Sequence, residues 1–185
     1  MEHPFNFNAE KGIEAILYII KNGAKPTSLH ISKVMYFADR KHLETYGRFI
    51  CGDRYIAMKR GPVPSGIFNL ITNIRDNNKS NQYSLITEIF EKANSAFYVE
   101  NHCCIKPCRD INKNLFSQSD LECLDFSIQK YGNLSADRLT DLSHDRAWKK
   151  ADESDNINIE DIVKTLENSE DLLEYLKDMY PGEAE

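Results

Sequence analysis

The sequence of 185 residues contains no apolar run that approaches the roughly 20 residues needed to cross a bilayer. Its first residues lack the basic and then apolar stretches of a secretory signal, so we expect a cytoplasmic protein with no membrane partner. Walker loops, Gly-x-Gly-x-x-Gly loops and Gly-x-Ser-x-Gly nucleophile turns are also missing. These absences exclude a membrane-spanning class and leave nucleotide binding and serine hydrolysis without a supporting motif.

The composition is that of a folded globular chain, because 41% of the residues are hydrophobic and 28% are charged. The formal net charge of −6 conceals an asymmetry. Residues 151–185 carry twelve Asp and Glu against two Lys, a net charge of −10, whereas residues 1–150 carry a net charge of +4. We therefore predict one domain at 1–150 and an acidic helical extension at 151–185, packed on the same domain.

Helical periodicity, together with capping residues, accounts for most of the chain. Asn8 is a suitable N-cap, Gly47 a suitable C-terminal residue, and Ser119-x-x-Glu122 reads as a capping box. The predicted helices cover residues 9–21, 27–46, 65–74, 119–131, 134–143, 159–166 and 170–179.

Two segments predict the β structure. Gly52-Asp53, between β-branched and aromatic residues, favours a hairpin or bent strand over Arg48–Met58, and two further short strands are expected around Glu100–His102. Gly61–Ser65 contains two prolines, which fix φ and remove two donors, so a rigid turn is expected there. The predicted fold is mainly α with a small antiparallel β-sheet (α+β), a single compact domain of about six to seven helices.

The cysteines form the main metal candidate, but the pattern is incomplete. Their odd number and irregular spacing indicate free thiols in a reducing compartment. Zinc sites need paired ligands and a second such pair, whereas His102-Cys103-Cys104 and Cys108 stand alone. We predict neither a metal nor a cofactor.

Histidines beside carboxylates leave a weak enzymatic alternative. His144 precedes Asp145, and His42 follows Asp39 on a predicted helix, so either pair offers an acid and a base. Neither pair lies near a recognisable nucleophile motif in the sequence. We expect a non-enzyme without catalytic residues.

The segment from His30 to Ser65 combines basic and aromatic residues to an unusual degree. It holds seven Lys and Arg against three acids, interleaved with Tyr and Phe. A helix followed by a basic hairpin is typical of a nucleic-acid-binding regulator, which is one hypothesis. The same mixture suits a protein interface, and the acidic pI near 5.4 weighs against a dedicated nucleic-acid binder. The plainest interpretation is a solvated helix face with core aromatics.

Two phrases in this segment resemble the SocA-like, or Panacea, antitoxin family. Tyr36–Gly47 reads YFAD-x-x-H-L-x-x-Y-G, and Gly52–Ser65 reads GD-x-Y-x-A-M-x-x-GPVPS. Looser matches extend the resemblance to roughly residues 10–150. It implies a mostly helical bacterial, phage or prophage domain that neutralises a cognate toxin by direct protein–protein contact. One branch of the family delivers its toxin to a protease, so a protease or its unfoldase is a second candidate partner.

The resemblance places toxin binding on the central motif. Aromatic and Met side chains there can fill pockets, Arg and Lys can pair with acidic groups, and a proline-rich segment docks with little loss of conformational entropy. Turn geometry and core packing are the competing explanation for the same residues. The candidate toxin-binding residues are Tyr36, Asp39, Arg40, His42, Tyr55, Met58, Lys59, Arg60, Pro62, Val63, Pro64 and Ser65.

Overall fold

The computed structural model describes residues 3–77 and 84–181. Within these ranges the chain forms nine α-helices, one short 3-10 helix and two antiparallel hairpins. The helices are α1 Ala9–Lys21, α2 Ser28–Tyr46, α3 Ser65–Arg75, α4 Ser84–Ala96, α5 Gln118–Tyr131, α6 Ala136–Ser143, α7 Arg146–Lys150, α8 Ile159–Val163 and α9 Ser169–Met179. The strands are β1 Tyr55–Met58, β2 Gly61–Pro64, β3 Phe97–Glu100 and β4 Cys104–Pro107. The predicted mainly helical α+β class is confirmed.

The predicted ends of α1 and α2 are confirmed because neighbouring residues cap both helices. The side chain of Asn8 accepts a hydrogen bond from the backbone N–H of Lys11, and Thr27 caps α2 in the same way through His30. Gly47 ends α2 with a φ of 70°, a left-handed conformation that glycine adopts readily.

The capping box of α5 lies two residues before the predicted one. The side chain of Ser117 accepts from the backbone N–H of Asp120, whose carboxylate accepts from the N–H of Ser117. Asp at this position reaches back as Glu does, so the pair meets the same physical requirement as the predicted Ser119-x-x-Glu122. Lys11 stabilises the Asp120 carboxylate further through an ion pair of 2.6 Å.

The first hairpin corrects two sequence predictions. Its turn is at Lys59–Arg60, not at Gly52-Asp53, and the expected rigid turn at Gly61–Ser65 is instead strand β2 and the start of α3. The prolines can occupy β2 because the β1 residues opposite them form their backbone hydrogen bonds with a different segment of the chain. Pro62 faces Ala57 and Pro64 faces Tyr55. On the opposite edge Ala57 bonds through both its N–H and its carbonyl, and Tyr55 bonds through its carbonyl, so neither carbonyl needs a proline N–H as its donor.

The opposite edge of β1 is covered by a segment from the acidic C-terminal region. Ala57 N–H donates to the carbonyl of Asp155 at 2.9 Å, and Ser154 N–H donates back to the carbonyl of Ala57 at 2.7 Å. The N–H of Ile157 donates to the carbonyl of Tyr55 at 2.7 Å. The C-terminal segment thus shields an edge that would otherwise be open to pairing with another chain. A domain boundary at residue 150 stays a prediction.

Helix α2 lies between two hydrophobic clusters and is buried over residues 30–39. One cluster gathers side chains of α1, α3, α5 and the second hairpin. The other packs Tyr36, Phe37 and Leu43 of α2 against the C-terminal helices. Because both sides of α2 are covered, its polar residues must find partners inside the protein.

Among the described residues, no helix is both long and apolar enough to span a membrane.

Candidate functional site

A groove of about 470 Å³ lies between the first half of α2, the β1–β2 turn and α3. Its apolar lining residues are Leu29, Met58, Val63 and Phe68. Its charged lining residues are all cations: Lys33, Lys59 and Arg60. The groove therefore combines an apolar wall with positive charge, and four of its lining residues, Met58, Lys59, Arg60 and Val63, belong to the family-like motif.

Lys33 is the unusual member of this lining because its side chain is only 1% exposed. Its Nζ donates a hydrogen bond of 2.8 Å to the carbonyl of Pro62, and no ion pair joins it to an acid within the described ranges. Burial and, to a smaller extent, the nearby charge of Arg60 together lower the pKa of Lys33 to about 7.

Gly61 makes room for this arrangement. Its φ is +94°, and a Cβ at this position would collide with the Oγ of Ser143 and lie 2.8 Å from the Nζ of Lys33. It would also lie 3.2 Å from the ring of His144. The start of β2 is therefore packed directly against a cluster of three polar side chains.

Four of the candidate toxin-binding residues are buried and bonded inside the protein. The hydroxyl of Tyr36 donates to Asp145 and that of Tyr55 donates to Asp39, each at 2.6 Å. His42 contacts the carbonyl of Arg48 at 2.9 Å through Nδ1. Their role in toxin contact stays a prediction, but the structure gives each of them a place in the core.

Asp39 holds α2 to the segment that leads into the hairpin. Besides Tyr55, its carboxylate accepts a hydrogen bond of 2.7 Å from the backbone N–H of Ile50. Burial raises the pKa of Asp39 to about 7, although both hydrogen bonds favour the charged form. Arg40, the next residue on α2, is mostly buried and pairs with Asp145 at 3.1 Å, so it already has an internal acid.

The hairpin residues divide into buried and accessible groups. Pro62, Val63 and Pro64 are buried in β2, and the hydroxyl of Ser65 donates to Asp53 at 3.2 Å. Lys59 and Arg60 at the turn are exposed, and Met58 is half-buried. Among the described residues, Arg60 forms one ion pair, a contact of 3.7 Å with exposed Asp137, which is weak at that distance and exposure. Of the candidate residues, Lys59 and Arg60 are the ones most open to a partner.

His144 and Asp145 both make contacts that hold the end of α6 and α7 against the first hairpin. Asp145 caps α7 by accepting from the backbone N–H of Trp148 at 3.0 Å. The ring of His144 stacks on Trp148 with centroids 3.6 Å apart, and the indole N–H of Trp148 donates to the carbonyl of Met58. The pair thus supports the hairpin, and the Nε2 of His144 is buried without a hydrogen-bond partner.

Lys33 is the site residue that the sequence analysis did not select. A signal was available, because its neighbours on α2 at helical spacing are Leu29, Tyr36 and Phe37. A lysine surrounded on its helix face by apolar and aromatic residues is more consistent with a buried amine than with a solvated face.

The cysteines do not assemble a metal centre in the described part of the chain. Cys103 and Cys108 are exposed and Cys104 is half-buried on β4, all as free thiols. No group of three or more His, Cys, Asp or Glu side chains able to hold a metal occurs among residues 3–77 and 84–181.

The protein is thus a mainly helical α+β domain. Its central helix is buried and carries polar side chains, and the turn of its first hairpin is basic and accessible. A family model described as the antitoxin SocA-like Panacea domain matches residues 31–149, which is more than half of the chain. The protein therefore belongs to the SocA-like antitoxin family, as its central motif indicates. Neither curated proteins nor solved structures yielded a match.

Proposed function

We propose that the protein is the antitoxin of a toxin–antitoxin pair, and that it neutralises its toxin by stoichiometric binding without catalysis. Family membership supports a toxin partner in general. The observation that carries direct binding is the exposed Lys59–Arg60 turn beside an apolar groove, within the part of the chain that the family model matches. Arg and Met are residue types that anchor protein interfaces.

The turn is well suited to binding because it is held on several sides. The Nζ of Lys33 bonds the carbonyl of Pro62, and Trp148 bonds the carbonyl of Met58 at 3.0 Å. The C-terminal segment covers the other edge of β1. A surface fixed before binding loses little conformational entropy on docking, which favours affinity.

The test begins with the protein encoded next to this gene. Co-expression of the two proteins is expected to rescue growth, and the purified pair is expected to elute as one complex in gel filtration. Arg60→Glu reverses a charge at the groove and should weaken the complex. Lys177→Glu makes the same change on α9, which contributes nothing to the groove, and should leave it intact. A neighbour that is non-toxic and never associates with this chain contradicts the proposal.

Delivery of the toxin to a protease is the second route to neutralisation. It predicts that the toxin disappears faster when the antitoxin is present, and that rescue fails in a strain lacking the protease. Inhibition by binding predicts a stable toxin and protease-independent rescue. Toxin half-life in the two strains separates the routes.

The nucleic-acid-binding alternative stays a prediction. It requires duplex DNA binding that weakens steeply as salt rises. The Arg60→Glu and Lys177→Glu proteins serve as its test and control, and absence of binding at low salt removes it.

A further inference from the structure

The buried amine of Lys33 has fewer polar partners than a buried charge ordinarily has. An ammonium group has three donors, and the contact found for Lys33 is one neutral carbonyl, that of Pro62. Buried charges are normally paired with an opposite charge, because removing an ion from water is costly. Within the described ranges Lys33 forms no such pair, yet it lines the groove.

The rest of the groove adds positive charge and apolar surface but no acid. Lys59 and Arg60 lie at its edge, while Leu29, Val63 and Phe68 supply carbon surface. The complementary group is therefore an anion carried on an apolar segment. A nucleic-acid strand fits less well, since it is bound by a long track of cations along its phosphates, and this chain has a net charge of −6.

We infer that the groove receives an acidic side chain of the partner protein, whose carboxylate pairs with the amine of Lys33 while adjacent apolar residues pack on Leu29, Val63 and Phe68. The inference rests on the proposed antitoxin function and specifies the chemistry of the segment that the antitoxin recognises. Arg60 supplies a second, more exposed contact for the same segment.

This pairing makes binding depend on pH. The groups that face Lys33 are Arg60 and Lys59 from the turn, and Ser143 and His144 from the end of α6. Burial lowers the pKa of His144, and the charge of Lys33 acts in the same direction. The carboxylates of Asp141 and Asp145 oppose this shift. Because the net effect lowers the pKa, His144 is mostly neutral near pH 7. The pKa of Lys33 is about 7 in the free protein, so above this pH the amine must take up a proton when the carboxylate binds.

A peptide assay on the full chain tests the pairing directly. The probes are fluorescein-labelled acetyl-LEELFEEL-amide and its neutral counterpart acetyl-LQQLFQQL-amide, measured by fluorescence anisotropy. We expect the acidic peptide to bind about tenfold or more tightly than the neutral one. Its affinity is expected to fall about tenfold between about pH 6 and about pH 8. The neutral peptide has no carboxylate and should show no such fall.

Two variants and a control locate the effect. Lys33→Met keeps the volume, removes the amine, and should abolish both the preference for the acidic peptide and the pH dependence. Arg60→Met should weaken acidic-peptide binding but retain the pH dependence. Lys177→Met, on α9, should change neither. Circular dichroism confirms that each variant folds, and the pH dependence of the wild-type chain provides a readout that needs no variant.

The outcomes separate this inference from the proposed function. Equal binding of both peptides, or a pH dependence that survives in Lys33→Met, overturns the inference. Tighter binding of a fluorescein-labelled single-stranded oligothymidylate than of the acidic peptide also overturns it, in favour of a phosphate ligand. If the neighbouring toxin binds wild type and Lys33→Met equally, the antitoxin function stands and the carboxylate pairing fails. If that toxin never binds, the antitoxin function fails whatever the peptides show.

Discussion

The hydroxyl of Tyr55 donates a 2.6 Å hydrogen bond to the carboxylate of Asp39 at a position where both side chains are buried. The bond ties β1 of the first hairpin to the central helix α2. Both residues belong to the motif, so at least part of the motif maintains the fold.

Tyr55→Phe should lower the free energy of unfolding by about 1–3 kcal/mol, because a buried carboxylate oxygen loses its donor. The loss should be larger above about pH 7, where Asp39 is ionised, than below it. Urea unfolding at the two pH values measures this. Tyr98→Phe, at a tyrosine 47% exposed, is the matched control and should have little effect. Equal stability of Tyr55→Phe and wild type would show that Asp39 does not depend on this bond.

Asp53 caps a helix to which it does not belong. Its carboxylate accepts from the backbone N–H groups of Gly66 and Ile67 at 2.8 Å and 2.9 Å, at the start of α3. Asp53→Ala should destabilise the protein by about 1–2 kcal/mol, since two helix-end donors lose their acceptor. Asp53→Asn keeps one oxygen and should lose less. Thermal unfolding ranks the variants, and equal melting temperatures for both would argue against the capping role.

Gly61 and Gly23 separate two reasons for needing glycine. Both have positive φ, at +94° and +109°, so Ala is strained at either position. A Cβ at Gly61 would collide with Ser143 and Lys33, whereas a Cβ at Gly23 meets nothing within 4 Å. Gly61→Ala should therefore melt well below Gly23→Ala. Equal melting temperatures would mean that the side chains of Ser143 and Lys33 can move aside for a Cβ without loss of stability.

Lys33 should make stability rise with pH above neutrality. Its pKa is about 7 in the folded chain and near 10.5 when unfolded, so the unfolded chain binds more protons between these values. The free energy of unfolding should therefore rise between about pH 7 and about pH 10, with a slope on the order of 1 kcal/mol per pH unit. Urea unfolding of wild type and Lys33→Met across this range measures the difference. Parallel curves would contradict the lowered pKa.

The C-terminal helices contribute to stability rather than forming an independent tail. Leu176 on α9 is fully buried among residues of the second cluster, including Tyr36 and Leu43 of α2. Leu176→Ala should cost about 2–5 kcal/mol of unfolding free energy. Met179→Ala, at a residue 57% exposed on the same helix, should cost little. Similar urea midpoints for the two variants would show that α9 does not pack as described.

Local signals in the sequence predicted the helices well and the hairpin poorly. The ends of α1 and α2 depend on Asn8, Thr27 and Gly47, which lie next to the residues they cap. The place of Pro62 and Pro64 depends instead on hydrogen bonds between β1 and residues 154–157. A pairing between segments so far apart leaves no pattern in a short stretch of sequence, and the two prolines by themselves predict a turn.

The candidate residues of the motif divide for a similar reason. Met58, Lys59 and Arg60 line the groove, and their role in toxin binding stays a prediction. The candidate residues also include Asp39 and His42, which a solvated face of α2 would place in solvent but which are buried. Packing covers both sides of that helix, and neither periodicity nor composition reveals a second covering layer. The burial of Lys33 has the same cause, because a lysine on a polar helix face is expected to be solvated unless a second layer covers it.

The pairing of residues 154–157 with β1 fixes an order of events during synthesis. The ribosome releases the motif long before the segment that covers the open edge of its strand. Until that segment emerges, β1 has a free edge and the second cluster lacks its C-terminal side chains. The hairpin of β1 and β2 is therefore held on both sides only after residues 154–157 have emerged. During synthesis the chain therefore passes through an interval in which the whole motif has been made but the hairpin within it is not yet held in its folded position.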